Sequence, residues 1–183
     1  MTAAGSPSDD PITAVALAAR DGDPDAPAHL VRRTQAEVWR FTAALVDPGA
    51  ADDLTQETYL RALRALPGFE GRSSVRTWLL GIARRVCADH LRAVVRRRRL
   101  DARLAVQACT DLPHPDPAHR LGAYDLLRRL SDDRRSAFVL TQVVGLSYVE
   151  AAAVEDVPIG TIRSRVARAR DELIDAVAAA RAS

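Results

Sequence analysis

Residues 147–173 read SYVEAAAVEDVPIGTIRSRVARARDEL. Ser147 with Glu150 forms a capping box: the serine side chain accepts from an orphan helix donor and the glutamate reaches back to the serine's own N–H. Gly145 closes the helix before it, and Val157-Pro158 breaks the capped helix before a last helix from about 159 to 178. Helix, short turn, helix is the arrangement that presents a recognition helix to the DNA major groove. At 100° per residue, Ile162, Val166, Ala169 and Leu173 gather within about 60° of one another, which is a buried stripe. Ser164, Ala167 and Arg168 fall opposite with Arg163 beside them, and Arg165 and Arg170 lie on the flanks. Arginine can grip guanine O6 and N7 with two parallel bonds, worth roughly 1–3 kcal/mol of discrimination. The same face also reads as a solvated basic surface with i,i+4 pairs to Asp171 and Glu172, but the capped helix and the proline turn ahead of it favour DNA.

Working back along the chain, QACTDLPHPDPA at 107–118 has prolines at alternate positions, which favours extended chain and marks a linker. Beyond it helices are expected near 119–130, 132–144 and 148–155. Before it, Asp10 and Pro11 signal a short helix stopping near Gly22. A second helix is expected from Ala28 to Val46, with Leu30, Thr34, Val38, Phe41 and Leu45 in one stripe. DPGA ends it. A third helix covers Asp53 to Leu66, with Tyr59, Ala62, Leu63 and Leu66 inward and Asp53, Glu57, Arg61 and Arg64 outward, Gln56 and Leu60 lying at a border. After a loop at 67–74, a fourth helix runs from Val75 to Arg92 and continues as a basic tail. Its buried face is Leu79, Ile82, Ala83 and Val86. Its other face is Thr77, Gly81, Arg84, Arg85, Ala88 and Arg92, where small Gly81 and Ala88 admit a close backbone. No stretch alternates with period two. The expected fold is all-α: a tail (1–10), one small helical domain (11–103), a Pro-rich linker (104–118) and a second helical domain (119–183).

The net charge of +2 hides a division. Residues 1–60 hold four arginines against ten acids, whereas residues 70–103 hold ten arginines against three acids. A basic segment of that density is the footprint of a polyanion partner. Every one of the 26 basic residues is arginine, which reads as a G+C-rich genome rather than as guanidinium chemistry. Cys87 and Cys109 stand apart and lack His or Cys neighbours at zinc spacing, so neither a metal nor a disulfide framework is expected. Cys87 reads as a small buried residue and His90 as a buried imidazole. The first residues lack a signal-peptide pattern and no apolar run reaches membrane-spanning length, so a cytoplasmic protein without membrane insertion is expected.

The helix-turn-helix stretch closely resembles region 4.2 of extracytoplasmic-function sigma factors of the sigma-70 family. ADDLTQETYLRALRAL resembles sigma region 2.2, and FEGRSSVRTWLLGIARRVCADHLR resembles regions 2.3 and 2.4. Two motif blocks in the right order cover nearly everything outside the tail and linker. The resemblance implies an alternative sigma factor, without catalysis or cofactor, that binds core RNA polymerase and directs initiation from −10 and −35 promoter elements. It assigns the −35 contact to Arg163, Ser164, Arg165, Ala167 and Arg168. It assigns the −10 contact and strand opening to Phe69, Arg72, Ser73, Ser74, Thr77, Arg84, Arg85, Ala88 and Arg92. Asp53, Gln56, Glu57 and Leu60 would dock on the β′ clamp helices of the polymerase, with a further contact to its β flap. Phe69 reads equally as a stacking platform for a base and as an anchor for its loop. Trp78 reads as core rather than as a wedge, and Arg96–Arg99 as a phosphate contact or a solvated run. Free members of the family are held inactive by an anti-sigma protein or by their two domains packing together, and the acidic N-terminal segment could mask the basic one here.

Two other classes compete. An autonomous helix-turn-helix repressor needs a dimerisation surface, and no heptad run supplies one. A serine recombinase would use Ser73 or Ser74, but no sheet or acid cluster accompanies them. Neither accounts for both motif blocks.

Overall fold

A computed structural model describes residues 10–46, 48–105 and 123–182. The described residues form eight α-helices and no strand. α1 (Pro11–Arg20) starts as the sequence dictates, with the Asp10 carboxylate accepting from the Thr13 N–H at 3.1 Å and proline at the first helical position. α2 (Ala26–Leu45) buries the expected stripe of Leu30, Thr34, Val38, Phe41 and Leu45. α3 (Pro48–Ala65) begins at Pro48 rather than at Asp53. A proline tolerates the first turn of a helix, where its missing N–H would have no partner, so Pro48 opens this helix. A single tight turn, Leu66–Gly68, ends α3.

α4 (Val75–Ala105) is longer than expected. It runs through the arginine series, because arginine is a good helix former and nothing in RRRRLDAR breaks the ladder. α5 (Ala123–Arg129) and α6 (Asp132–Phe138) follow, and α6 widens into a π-turn at Val139–Val143. There the Val144 N–H reaches back five residues to the Val139 carbonyl at 2.9 Å. The extra residue in this turn lets Val139 and Leu140, adjacent in sequence, both enter the core. Gly145, at φ +80°, makes the turn that no side chain would favour.

α7 (Tyr148–Glu155) carries the capping box as read: Ser147 Oγ accepts from the Glu150 N–H, and Glu150 accepts from the Ser147 N–H at 2.9 Å. Asp156 ends it in the left-handed region at φ 54°, a conformation that short polar residues adopt most readily after glycine. α8 (Ile159–Ala182) follows Pro158. Residues 1–9 of the expected tail and 106–118 of the expected linker lie outside the described residues; Leu104 and Ala105, read as the start of the linker, are still helical at the end of α4.

The two helical domains share one core. Buried residues form a continuous cluster from Ala16 in α1 to Val166 in α8. Inside it, Leu79, Leu80, Ala83, Val86 and Cys87 of α4 and Val139, Leu140, Ala151 and Ile162 of the second domain are closed to solvent. Burial pushes the Cys87 thiol up to about 12. α7 lies along α4, and the end of α2 meets α5, α6 and the π-turn.

Candidate nucleic-acid interface

α8 presents the face its spacing predicts. Ile162, Val166 and Ala169 are fully buried, and Arg163, Ser164, Ala167 and Arg168 are exposed on the opposite side. Arg163 and Arg168 make no hydrogen bond or ion pair among the described residues, so both forks are available to a partner. Arg165 differs. It is half-buried, and donates to Asp133 Oδ2 at 2.8 Å and to Glu155 Oε2 at 3.4 Å. Arg170 donates to Gln142 Oε1 at 2.8 Å. Glu172 pairs with Arg134 of α6, not with Arg168 one turn back, so the acids beyond the recognition face do not neutralise it.

The face of α4 is partly covered. Arg85 and Arg92 are exposed, and Gly81 and Ala88 are half-buried. Arg84 is held: its Nε donates to Glu155 Oε1 at 2.8 Å and its Nη2 to Asp133 Oδ1 at 3.3 Å. Thr77, read as outward, is buried. Its hydroxyl meets Ser74 Oγ at 2.9 Å, and Ser74 Oγ accepts from the Thr77 N–H at 3.2 Å. That pair caps the start of α4, which is what draws Thr77 in. Beyond the first turns, Arg84, Arg92, Arg96 and Arg99 line an open groove of about 400 Å³ with Asp132 and Asp133 at its far wall.

The loop before α4 is braced from α1. Arg20 Nη1 donates to the Phe69 carbonyl at 3.1 Å, and the Val75 N–H donates to Thr13 Oγ1 at 2.9 Å. Gly71 turns the loop at φ +71°. Phe69 is buried and its ring meets half-buried Trp78 at 4.9 Å between centroids. In the free chain the ring is therefore packed as an anchor of its loop. Arg72 is exposed and pairs with Glu70, and Ser73 is half-buried. His90 is half-buried rather than enclosed.

A second surface lies between α2 and α3. Asp53 and Gln56 are exposed, and Glu57 accepts from Arg61 Nε at 2.7 Å. Leu60 is 51% exposed, and Leu63, expected inside, is 39% exposed. Both line a groove of about 350 Å³ with Val31, Gln35, Thr55, Gln56 and Tyr59. Tyr59 forms its floor, its hydroxyl 2.7 Å from Thr34 Oγ1. Next to it Trp39 is exposed, its indole N–H donating to Asp52. The 3.6-residue count assigns Leu63 to the Tyr59 side. The adjacent pair Leu60 and Leu63, three apart beside Gln56, was the signal of an apolar surface left open.

This architecture defines a two-domain helical protein with an exposed basic face on α8, an arginine-lined α4 and an open apolar groove between α2 and α3. Residues 30–98 match the family model for Sigma-70 region 2, and residues 120–173 that for Sigma-70, region 4. The chain is 49% identical over 180 residues to the probable RNA polymerase sigma-C factor of Mycobacterium bovis, covering 95% of each chain. It is 33% identical over 165 residues to the ECF RNA polymerase sigma-E factor of Escherichia coli K12, covering 83% of this chain and 86% of that one. Among solved structures it resembles CnrH in complex with the cytosolic domain of CnrY, with a TM-score of 0.70 at 28% identity, over 93% of this chain and 99% of that one. It also resembles the sigma factor RpoE of Bartonella quintana, solved with the anti-sigma factor NepR, with a TM-score of 0.64 at 28% identity, over 82% and 96%.

The chain belongs to the extracytoplasmic-function group of the sigma-70 family. It is an alternative sigma factor: it binds core RNA polymerase and promoter DNA and directs promoter-specific initiation. No helix among the described residues is long and apolar enough to cross a membrane.

Proposed function

We propose a division of labour among the three surfaces. α8 reads the −35 element in the major groove through Arg163, Ser164, Ala167 and Arg168, with Arg165 at the flank. Arg72, Ser73, Ser74, Thr77, Arg84, Arg85, Ala88 and Arg92 receive the −10 element, the arginines neutralising phosphates while the loop holds a base out of the stack. Phe69 serves that loop as its anchor. Asp53, Gln56, Glu57 and Leu60, joined by Leu63, dock on the β′ clamp helices, where apolar contact supplies affinity and the charges set register. The second domain meets the β flap. On this reading the functional units are 11–103 and 119–183, spanned by 104–118. The chain acts in the cytoplasm and performs no chemistry of its own. Two solved neighbours were captured with partner proteins. An anti-sigma protein suits this chain too, with the open α2–α3 groove as its seat.

One observation carries the reading: Arg163, Ser164, Ala167 and Arg168 of α8 are exposed while Ile162, Val166 and Ala169 behind them are buried, so this stretch of the helix is held by its back and offered by its front, the stripe thinning to half-buried Leu173 further on. The test is Arg163→Ala with Arg168→Ala in transcription with core polymerase. Loss of two base-reading arginines removes roughly 1–3 kcal/mol each, so selection among start sites is expected to collapse while the melting temperature stays put. Unchanged promoter choice would show that α8 is not the reader.

A further inference from the structure

α4 carries a line of arginines longer than its −10 surface. At 100° per residue, Arg85, Arg92, Arg96 and Arg99 fall within about 60° of one another, and all four are exposed. From the first to the last is about 21 Å of helix. Arg85 and Arg92 belong to the −10 surface. Arg96 and Arg99 continue the line past Cys87, the last buried residue described on α4. Arg99 also stands beyond residue 98, where the match to Sigma-70 region 2 ends. Arg97 and Arg98 lie about 130° from the middle of the line, one on either side.

Among the described residues, Arg96 and Arg99 make no hydrogen bond or ion pair. Both line the groove whose far wall holds Asp132 and Asp133. Those acids have other partners: Asp133 accepts from Arg84 and Arg165, and Asp132 pairs with Arg135. Asp89, at the edge of the line, accepts from Arg61 and Arg92, and Asp101 falls on the opposite side of the helix. Like charges three and four residues apart repel along a helix, as Arg92, Arg96 and Arg99 do here. A row of phosphates relieves that repulsion, and DNA offers one about every 3.4 Å along each strand.

We propose that Arg96 and Arg99 form a rail on the phosphates of the promoter duplex just upstream of the −10 element. The rail carries the contact of Arg85 and Arg92 from the opened strand onto the spacer. The proposal rests on the −10 reading of α4. In that reading α4 begins after the loop that holds the opened base, and the chain leaves its far end for the domain that reads the −35 element. The −35 element lies upstream, so the far end of α4 meets the spacer, which stays double-stranded. Phosphate contacts position a protein without reading bases, so the rail adds affinity and register but no sequence preference.

The test uses holoenzyme made from core polymerase and the full chain, with a promoter fragment that it selects in run-off transcription. One probe is native DNA. In the other, about six spacer base pairs next to the −10 element carry uncharged methylphosphonate linkages, covering the reach of the rail at about 3.4 Å per pair. The rail variant is Arg96→Ala with Arg99→Ala, the off-line variant Arg97→Ala with Arg98→Ala, and the −10 variant Arg85→Ala with Arg92→Ala. Alanine sustains a helix and all six positions are exposed, so each variant should keep the wild-type melting temperature. On native DNA the rail variant should lose about fivefold or more in affinity, and its salt slope should fall by about 1.8, two contacts at about 0.9 each. On the methylphosphonate probe it should bind as wild type does. The off-line variant removes the same charge and should follow wild type on both probes. The −10 variant should lose affinity on both.

Equal losses from the rail and off-line variants, or none from either, overturn the rail, because the run would then act as diffuse charge or not at all. A rail-variant loss of the same size on the methylphosphonate probe overturns it too, placing these arginines on the opened strand. So does weaker binding of the rail variant to core polymerase without DNA, which would place them on an acidic protein surface. Failure of the underlying reading looks different. A −10 variant that binds both probes like wild type removes the −10 assignment of α4 and the rail with it. A rail that fails while the −10 variant loses on both probes leaves that assignment standing.

Discussion

Arg135→Met would remove a guanidinium that the fold uses as a cap for two helix ends at once. Arg135 is 8% exposed. Its Nε donates to the Leu127 carbonyl at 2.9 Å, and Nη2 to the carbonyls of Leu130 at 3.0 Å and Arg128 at 3.4 Å, all at the end of α5. Its Nη1 crosses to the other domain and donates to the Leu45 carbonyl, the last of α2, at 2.8 Å. A cation at a helix C-terminus meets the negative end of the dipole, and here it meets two. Burial pulls its proton affinity below the ordinary arginine value, so the fork is held at a desolvation cost that these carbonyls offset. Methionine keeps the stem and loses every donor. The bonds to Leu45 and Leu130 lie in buried surroundings, so two acceptors are left dry at about 1–3 kcal/mol each, together about 2–6 kcal/mol. Release of the desolvated cation offsets part of that, leaving about 2–4 kcal/mol. For a chain of this size that is a fall in melting temperature of roughly 4–16 °C, read by calorimetry or circular dichroism. A melting temperature within about 2 °C of wild type would refute the reasoning, since it would mean those carbonyls need no donor.

Leu60→Asp places a charge in the open α2–α3 groove, and is expected to weaken binding to core polymerase at least about tenfold in a pull-down titration while the melting temperature changes little, because Leu60 is solvated in the free chain. Ser147→Ala removes one half of the α7 capping box and should cost about 1 kcal/mol, seen as a few degrees of melting temperature. Cys87, read in a Cys109→Ser background, should resist a thiol reagent at pH 8 in the folded chain and react at once in denaturant. Its proton is held up to about 12 when folded against an ordinary 9.0, so this group's contribution is intact below pH 9 and is lost as pH rises from there toward 12.

The periodic elements were legible because each rests on a local rule. The Ser147–Glu150 box, the turn at Gly145, the Asp10–Pro11 start and the Ile162–Val166–Ala169 stripe are satisfied within a few residues of one another, and each is found where it was read. Helix ends were harder. Pro48 starts α3 where it was read as part of a terminator, and Arg96 to Arg99 stay helical because a charge run carries no stop signal. Long-range partners were not legible. Nothing near Arg135 says that its fork reaches Leu45, and nothing near Glu155 says that it meets Arg84, because those pairings exist only once α7 lies on α4. Arg165 shows both halves of the lesson: its place on the flank of α8 followed from the spacing, and its acids came from two other helices. Leu63 was misread because an apolar residue near a helix's buried edge packs inward only when a neighbour covers it, and α2 leaves it uncovered.

The central claim is that this chain lends core RNA polymerase its choice of start site. Run-off transcription with purified core polymerase and a genomic promoter pool tests it most directly. The account predicts discrete transcripts that appear only when the chain is added, from start sites sharing a −35 and a −10 element at fixed spacing. Transcripts identical with and without the chain, or a footprint that the chain makes alone on a palindromic operator, would contradict it.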